Sequence, residues 1–414
     1  MKCYKLKSLF EIEGVFMKKI LIIGAGFLQS FVIKKAKEMG YYTITIDKNK
    51  NSIGFSYADE YGIIDIVDQE ACLKFAEEKK VDGVMTAATD YGVLSAAYIA
   101  QQMNLPGLKY EVAEVVKNKY KVRQTLFENN IDDISQFYVI SDISEIDEIN
   151  SRIHFPVMVK PCDGSGSKAV KRVDTVDSLK YACEEAIKSS LIRKALIEDF
   201  IDGKEYGVES FVCDGQIHVL GVMGKHMTNP PDYAELGHCM PSQLPIEENL
   251  KEVAKKAIRA LDINFGAVNM DVLVTKDNHV CIVDIGARMG GNLIGSHIIP
   301  LGTGVDYMGN LIRASVGDTI DIRPKKAGTK VATKILALTP GRVACLPDFE
   351  EISKKNQVNI YHHLSVGTSI REYHNNLDGC GYIIAASDNF ELAERRAEAS
   401  MDLVNTGIIR EIIN

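Results

Sequence analysis

The chain has 414 residues, of which 46% are apolar and 25% are charged, a composition typical of a folded globular protein rather than a disordered one. Apolar stretches fall short of the ~18 consecutive residues that a membrane span needs, so we expect no membrane partner. The 48 basic residues are outnumbered by 56 acidic ones, and the net charge of −8 argues against a protein held on nucleic acid by phosphate contacts. The length predicts roughly three domains.

Nine cysteines are scattered along the chain without a CxxC motif. An odd number of widely spaced thiols does not match a disulfide framework or a structural zinc site. Such thiols are typical of the reducing cytoplasm, where most serve as small core residues. We therefore expect a cytoplasmic protein.

Strands and helices alternate through the first hundred residues. The continuous apolar run at 20–23 predicts a buried parallel strand. Strands alternating with helices predict βαβ units and a doubly wound sheet, which we place in a domain at 17–115, with residues 1–16 as an extension outside it. The further predicted elements are strands at 42–46, 63–67 and 83–86 and helices around 31–36 and 71–78.

The first strand ends in a glycine-rich turn, GAGFLQ at 24–29. The pattern GxGxxG at such a turn binds the pyrophosphate of a dinucleotide, and Asp47 lies where a ribose-binding acid would follow. Position 29 is Gln, however, and not the third glycine that permits close helix–strand packing. Two interpretations stay open: an NAD-dependent oxidoreductase, or a tight turn that is structural or lines a small-molecule pocket.

The middle and the end of the chain have a different pattern. Alternation around Asp214-Gly215 predicts a hairpin, and a proline-rich stretch at 226–245 predicts a long loop, which is typical of a functional segment. Residues 331–414 predict a small α+β domain. The other predicted elements are a helix at 117–130, strands at 157–160, 195–198, 330–338 and 381–386, and a helix near 392–404.

Several groups are candidates for binding phosphate. Lys160 ends a predicted strand just before a Gly/Ser-rich loop at 163–167, whose backbone N–H groups can form an anion-binding nest. Lys119 on the preceding helix and Lys225 after the hairpin add two further positive charges. The loop lacks the GxxxxGK[ST] pattern of a Walker A motif. Taken singly, each lysine is equally compatible with a surface charge.

Two aspartates are predicted to face each other across a hairpin. Strands at 268–274 and 280–285 flank the turn Asp277-Asn278, and a two-residue turn there places Asp271 directly opposite Asp284. Like charges in this position are destabilising unless a cation lies between them. Apolar neighbours and paired carboxylates suit Mg²⁺, so we predict a metal site, the alternative being two solvent-facing acids.

The run DIGARMGGN at 284–292 follows the second aspartate. Arg288 can stabilise charge that develops on a phosphorylated or tetrahedral centre, or it can form an ordinary salt bridge. Gly290 and Gly291 permit close approach of the backbone. Asp90, at the end of a first-domain strand, is predicted either to bind a substrate amine or to cap the helix that follows it.

Together, in this order, the motifs resemble those of the ATP-grasp superfamily from residue 17 onward, and most of all carbamoyl-phosphate-synthase-like and amino-acid-ligase-like carboxylate–amine ligases. The resemblance implies a mixed α/β and α+β fold in three parts. An N-terminal Rossmann-like (pre-ATP-grasp) domain that does not bind NAD comes first, then a two-lobed ATP-grasp domain at 116–330 (lobes 116–195 and 196–330), and then the C-terminal α+β domain at 331–414.

The resemblance also implies roles for single residues. Lys119, Lys160 and Lys225 resemble phosphate lysines, and loop 163–168 resembles a flap over the β- and γ-phosphates. Asn292 is a candidate ligand because Gly286 stands where many members carry a metal-binding Asn. The remaining candidates are flap residues Ser165, Gly166 and Ser167; adenine-binding residues Glu198, Asp199, Phe200 and Ile201; Glu205 for ribose; Asp271 and Asp284 for metal; and, for catalysis, Arg288 and His238 together with Lys160 and Lys225.

The implied activity is an ATP-dependent ligation of a small carboxylate to a small amine through an acyl phosphate, with ATP and Mg²⁺ (or Mn²⁺). A homodimer is implied as well. Within the superfamily, the alternative is a carboxylase or carbamoyl-phosphate-synthase-like enzyme that uses a one-carbon acid. The NAD-dependent oxidoreductase and a non-catalytic ATP-binding protein are alternatives of other classes.

Overall fold

The computed structural model describes residues 17–325 and 328–411, so the predicted extension at 1–16 lies outside the described residues. Strands and helices alternate at the start, as predicted. They are β1 (Lys19–Ile23), α1 (Phe27–Glu38), β2 (Tyr42–Asp47), a 3-10 turn (Ile53–Ser56), β3 (Glu60–Ile63), α2 (Gln69–Lys79), β4 (Gly83–Thr86), α3 (Val93–Gln102), α4 (Tyr110–Val116) and α5 (Lys119–Glu128).

The first strands form a parallel sheet in the order β3-β2-β1-β4. Residues 20–23 of β1 are fully buried, which confirms the predicted interior strand. Residues 20 and 22 pack with α1 on one face, and residues 21 and 23 pack with α2 and α3 on the other. Because helices cover both faces, the strand is apolar throughout.

The strand predicted at 63–67 is wrong, since β3 ends at Ile63. β3 lies at the edge of the sheet, and its residues alternate between half-buried and exposed, so it needs no apolar run. The apolar residues at 64–67 instead form the turn before α2. Asp68 caps that helix by accepting a hydrogen bond from the backbone N–H of Ala71 at 3.1 Å.

The helix predicted at 117–130 is shorter than expected because Asn118 starts α5 afresh. Its side-chain oxygen accepts hydrogen bonds from the backbone N–H groups of Tyr120 (3.1 Å) and Lys121 (3.2 Å). An asparagine in this position satisfies donors that the first helical turn leaves free. Lys119 is consequently the first residue of the helix.

A smaller antiparallel sheet follows, in the order β5-β8-β6-β7, with the predicted flap between β6 and β7. The strands predicted at 157–160 and 195–198 are confirmed. The elements of this lobe are β5 (Phe137–Ile140), α6 (Glu145–Ile149), a 3-10 turn (Asn150–Arg152), β6 (Val157–Pro161), β7 (Lys171–Val173), α7 (Val176–Ser189) and β8 (Ala195–Asp199).

The second lobe is built on a long antiparallel sheet. The predicted hairpin is confirmed: Cys213 pairs with Gln216 across the two-residue turn Asp214-Gly215. Its elements are β9 (Gly203–Cys213), β10 (Gln216–Met227), β11 (Glu235–Met240), α8 (Glu247–Ala260), β12 (Gly266–Thr275), β13 (Val280–Gly286), a π-helix (Ile294–Ile298), α9 (Ile299–Thr303) and α10 (Tyr307–Ser315).

The long loop predicted at 226–245 is wrong in its middle part. β10 continues to Met227, and β11 occupies 235–240. β11 lies between β10 and β14 and pairs with both, so its polar residues sit inside the sheet rather than on a surface segment. Prolines at 230, 231 and 241 flank the strand without interrupting it, which is why proline content misled the prediction.

The last part of the chain extends the same sheet. The strand order β13-β12-β9-β10-β11-β14-β18-β16 crosses the predicted domain boundary at 330 without a break. The predicted strands near 330–338 and 381–386 and the helix near 392–404 are present. Its elements are β14 (Lys330–Ile335), β15 (Gly341–Cys345), α11 (Phe349–Asn356), β16 (Val358–His362), β17 (Ser369–Ile370), a 3-10 turn (Asn376–Asp378), β18 (Gly381–Ser387), α12 (Phe390–Gly407) and β19 (Ile409–Arg410).

Among the described residues, we find no helix with the length and apolarity that crossing a membrane requires.

Candidate active site

A cavity of about 800 Å³ opens where the small sheet, the long sheet, the first domain and the last domain meet. Its wall includes every sequence-predicted site residue except His238. The residues that the fold brings together here are Lys119, Lys160, Ser165, Gly166, Ser167, Glu198, Asp199, Phe200, Ile201, Glu205, Lys225, Asp271, Asp284, Arg288 and Asn292.

Lys160 and Glu198 form a buried ion pair on neighbouring strands β6 and β8. The Lys160 Nζ lies 2.5 Å from a Glu198 carboxylate oxygen and donates to the backbone oxygen of Val283 at 2.8 Å. Arg123 on α5 binds the other Glu198 oxygen at 3.1 Å. Burial alone would raise the pKa of Glu198, but the charges of Lys160 and Arg123 outweigh it and hold the pKa below its ordinary value.

Asp199 is also engaged within the protein. Its carboxylate accepts hydrogen bonds from the backbone N–H (2.9 Å) and the side-chain amide (3.0 Å) of Gln136. The carboxylates of Glu198 and Asp199 both have protein partners. The main-chain N–H and C=O groups of 199–201 are therefore the part of this segment best suited to hydrogen-bond a nucleobase.

The Gly/Ser-rich loop is anchored at its base by Asp163, which is 5% exposed. The Asp163 carboxylate accepts hydrogen bonds from the Ser190 hydroxyl at 2.6 Å and from the backbone N–H groups of residues 191 and 192. Gly166 at the tip has φ +67°, a conformation that favours glycine. The loop is therefore held at one end while its tip lines the cavity.

Asp271 and Asp284 are paired directly across β12 and β13, as predicted. The predicted two-residue turn is nevertheless wrong, because Val274 pairs with Val280 and five residues lie between them. The pairing is right because the register shifts next to the aspartates: Val272 pairs with Ile282, which leaves Val283 as an extra residue in β13. This bulge compensates for the longer turn.

Each of the two aspartates already contacts an ammonium group. Asp284 binds the Nζ of Lys119, and Asp271 binds the Nζ of Lys225 at 2.8 Å. Lys225 also lies 2.7 Å from Glu205 and 2.6 Å from Glu235, and its side chain is 1% exposed. Burial lowers the pKa of Lys225, but the three carboxylates raise it well above its ordinary value.

Three carboxylates around one ammonium leave an excess of two negative charges beside Lys225. Burial raises the pKa of Asp271 to about 6; Lys225 opposes this shift, while Glu205 and Glu235 add to it. Closely spaced carboxylates with excess negative charge fit a divalent cation.

Arg288 is fixed by three hydrogen bonds at the edge of the cavity. Its Nε and Nη2 each donate to one oxygen of Asp90 at 3.0 Å, and Nη1 donates to the Asn269 side-chain oxygen at 3.0 Å. Burial would raise the pKa of Asp90, but Arg288 lowers it to about 2. Asp90 does not cap a helix: α3 begins at Val93 with Gly92 as its N-cap, so the capping alternative is wrong.

Two family models match the chain. Residues 153–296 match the ATP-grasp domain, and residues 334–407 match the L-amino acid ligase C-terminal domain 2. The chain therefore contains an ATP-grasp domain and a C-terminal domain of the L-amino acid ligase type.

Known relatives of this ATP-grasp protein agree in fold over almost the whole chain. The L-amino acid ligase from Bacillus licheniformis superposes with a TM-score of 0.81, covering 95% of this chain and 99% of that one at 22% identity. Phosphoribosylglycinamide synthetase from Anaerococcus prevotii gives a TM-score of 0.75, covering 95% and 100% at 24% identity. A formate-dependent phosphoribosylglycinamide formyltransferase from Bacteroides thetaiotaomicron is 25% identical over 297 residues, covering 66% of this chain and 71% of that protein.

His238 does not line the ATP-grasp cavity, in contrast to the expected substrate contact. It lies on β11, is 1% exposed and sits behind Glu235, with its Nε2 3.6 Å from that carboxylate. Neither ring nitrogen has a hydrogen-bond partner. Burial lowers the pKa of His238 to about 4, even though Glu235 raises it. The ring is therefore neutral near pH 7 and backs Glu235.

Sequence reasoning missed the contribution of the last domain to this site. The Asn292 amide donates to Glu235, and its side-chain oxygen accepts a hydrogen bond from Tyr382 at 3.0 Å. The Tyr373 hydroxyl donates to the backbone oxygen of Glu235, and the Asn376 side-chain oxygen accepts from the backbone N–H of Glu235 at 3.0 Å. Glu235 lies three residues before the candidate His238, but nothing in the sequence placed residues 373–382 beside it.

In the glycine-rich turn at 24–29, the space beside the backbone is filled by side chains of the protein itself. The Gln29 amide donates to the backbone oxygen of Ala87 at 2.6 Å, and a Cβ on Gly26 would lie 2.8 Å from the Gln29 side-chain oxygen. The Asp47 carboxylate accepts from the backbone N–H of Ala25 at 3.0 Å. These contacts favour the structural interpretation of the turn over a dinucleotide site.

Proposed function

We propose that the protein is an ATP-dependent ligase that joins the carboxylate of an amino acid to an amine and releases ADP and phosphate. The observation that carries the proposal is the convergence in one cavity of Lys119, Lys160, Lys225, the Asp271–Asp284 pair and Arg288. The match of residues 334–407 to the L-amino acid ligase C-terminal domain supports an amino acid as the acid substrate.

In this proposal ATP lies between the two lobes. The main chain of 199–201 meets the adenine, Glu205 meets the ribose, and Ser165, Gly166 and Ser167 cover the phosphates. The three lysines neutralise the phosphate charge. Asp271 and Asp284 hold Mg²⁺ or Mn²⁺, with Asn292 as a further candidate near the phosphates, and the cation adds charge neutralisation at the phosphates.

The chemistry then has two steps. A carboxylate oxygen attacks the γ-phosphorus, the bond from that phosphorus to the β–γ bridging oxygen breaks, and the products are ADP and an acyl phosphate. The amine nitrogen attacks the acyl carbon, the tetrahedral oxyanion is stabilised by the fixed guanidinium of Arg288, and phosphate leaves as the nitrogen loses its proton. Closure of the flap protects the acyl phosphate from water.

A charged pair, Asp90–Arg288, and a further acid, Glu235, line the cavity in which the proposed acid and amine would meet. Asp90 and Arg288 are each 15% exposed at the side chain, and Glu235, which is paired with Lys225, lines the same cavity. A cation and two carboxylates suit a zwitterionic amino acid, which needs a partner for each of its charges.

The test is ADP and phosphate release from MgATP with pooled amino acids and with formate or bicarbonate, in the presence of hydroxylamine. We expect hydroxamate in proportion to ADP with at least one amino-acid pool. Hydroxamate or formylated product only with formate, or carbamate chemistry with bicarbonate, favours the one-carbon alternative. AMP and pyrophosphate contradict the acyl phosphate. ATP binding without turnover on any pool favours a non-catalytic protein.

A further inference from the structure

A second carboxyl group lies behind Arg288, outside the cavity wall. Glu209 on β9 is fully buried, and its neighbours are buried as well. One oxygen, Oε1, accepts a hydrogen bond from the Asn269 amide at 2.8 Å and from the backbone N–H of Gly290 at 3.1 Å. The other, Oε2, lies 2.5 Å from the hydroxyl of Tyr307. The proposed chemistry assigns no role to this group.

The hydrogen bonds fix the direction of the whole chain of contacts. A guanidinium only donates, so the Asn269 side-chain oxygen must accept from Arg288. The Asn269 amide nitrogen must then point to Glu209, which accepts it. Glu209 thus decides which way the Asn269 amide faces, and that orientation completes the hydrogen bonds of Arg288.

A glycine two residues after Arg288 allows Glu209 to reach the backbone here. A Cβ on Gly290 would lie 2.2 Å from the Glu209 Oε1, so glycine is needed for the carboxyl to reach the backbone N–H. The Tyr307 hydroxyl also lies 3.1 Å from the backbone oxygen of Ser210. The Tyr307 hydroxyl can donate to Glu209, or it can donate to Ser210 while accepting from Glu209. The Oε2 of Glu209 therefore keeps a hydrogen-bond partner in either case.

We propose that Glu209 is a positioning residue that, through Asn269, holds the guanidinium of Arg288 in the orientation used by the reaction. The proposal rests on the role given above to Arg288. It predicts that loss of Glu209 acts on turnover only while Arg288 is present.

The first readout is independent of activity. In protein labelled with ¹⁵N-arginine, the Nε–H resonance of Arg288 is assigned by its loss in Arg288→Lys. We expect it to be sharp in the wild type and broadened or shifted in Glu209→Leu. Glu209→Gln should restore it, because Gln keeps an acceptor toward Asn269 and Gly290 and donates to Tyr307. An unchanged resonance in Glu209→Leu overturns the proposal.

The second readout is a double-mutant cycle on the ligase reaction. We expect Glu209→Leu to lower kcat about tenfold or more with the KM for ATP changed less than about twofold. In an Arg288→Lys background the same change should cost less than about twofold. Equal losses in both backgrounds overturn the proposal.

Controls separate positioning from general instability. Val404→Ala, in the buried core of the last domain, destabilises the protein away from the cavity, so a matching loss of kcat there contradicts the proposal. If Glu209→Leu does not fold, Asn269→Leu takes its place in both measurements with the same expected outcomes. If the wild type shows no turnover, the proposed function fails, whereas the arginine resonance still decides whether Glu209 positions Arg288.

Discussion

At the scale of single residues, each of the three site lysines is paired with one or more carboxylates before any nucleotide arrives. Lys119 binds Asp284, Lys160 binds Glu198, and Lys225 is shared among three carboxylates. Removing one partner of a buried charge leaves the other uncompensated, which costs more than the pair itself contributes. Substitutions here therefore need isosteric replacements and matched controls.

Asp284→Asn tests the predicted metal site. We expect ADP formation to fall by about a hundredfold or more, because the variant loses a charged oxygen that would hold the cation on the phosphates. The matched control is Asp277→Asn, the same change at the exposed tip of the same hairpin, which should keep wild-type turnover. Near-normal ADP formation in Asp284→Asn would contradict the metal assignment.

The buried Glu209 predicts a pH dependence of stability. Burial raises its pKa from 4.5 to about 8, against hydrogen bonds from Tyr307, Asn269 and Gly290 and the charge of Arg288. The folded state then holds a proton that the unfolded state releases between about pH 4.5 and 8, so the free energy of unfolding falls as pH rises through this window. At about 1.4 kcal/mol per pKa unit, the effect is at most a few kcal/mol.

Glu209→Gln removes that titration. In urea unfolding at pH 5 and pH 8, we expect the variant to gain stability relative to the wild type as pH rises, with a plateau above about pH 8. A difference between the two proteins that does not change with pH would show that Glu209 is ionised in the folded state across the whole range.

At the scale of elements, strands were predicted correctly where the local pattern of apolar residues alone indicates them. A wholly apolar run is compatible with an interior parallel strand, and β1 was predicted correctly. The edge strand β3 and the polar strand β11 were missed because partners distant in sequence, not local hydrophobicity, make them strands. The Asp271–Asp284 pairing was predicted from an incorrect turn, since neither the longer turn nor the bulge at Val283 has a distinctive sequence.

The same distinction holds for the site. Lysines, flap and aspartates carry local motifs and were found from sequence, and all of them line the cavity. Arg123, Glu209, Asn269 and Tyr382 have no motif of their own and act through contacts made by distant segments. His238 was chosen from the resemblance, but the pairing of β11 with β10 places its ring beside Glu235 and outside the cavity wall.

The cap of α5 predicts a link between a helix start and nucleotide binding. Asn118→Ala should cost about 1 kcal/mol of stability, because two N–H groups lose their acceptor, and should raise the KM for ATP by loosening Lys119. The control is Asn389→Ala, which removes the cap of α12 far from the cavity. Equal stability losses with a changed KM only in Asn118→Ala support the link; equal KM values in the two variants contradict it.

At the scale of the whole molecule, the cavity has walls from every part of the chain, so nucleotide binding should stabilise the fold as a unit. At a MgATP concentration about 100 times its Kd, the gain in unfolding free energy is about 2.7 kcal/mol, measurable as a shift in Tm. We expect a smaller shift with ATP in EDTA and none with NAD. A shift with NAD and none with MgATP would revive the oxidoreductase alternative.

The continuous order of strands across residue 330 constrains how the cavity can open. The strands β13, β12, β9, β10, β11, β14 and β18, several of whose residues line the cavity, are joined by one ladder of backbone hydrogen bonds. The flap lies between β6 and β7 of the small sheet, which shares no strand with that ladder among the described residues. We therefore expect the cavity to open by movement of the lobe of 137–199 relative to the long sheet. If the proposed function holds, the rate of product release depends on how fast this lobe moves. Substitutions on the long sheet would then change substrate preference without changing the rate at which the cavity closes.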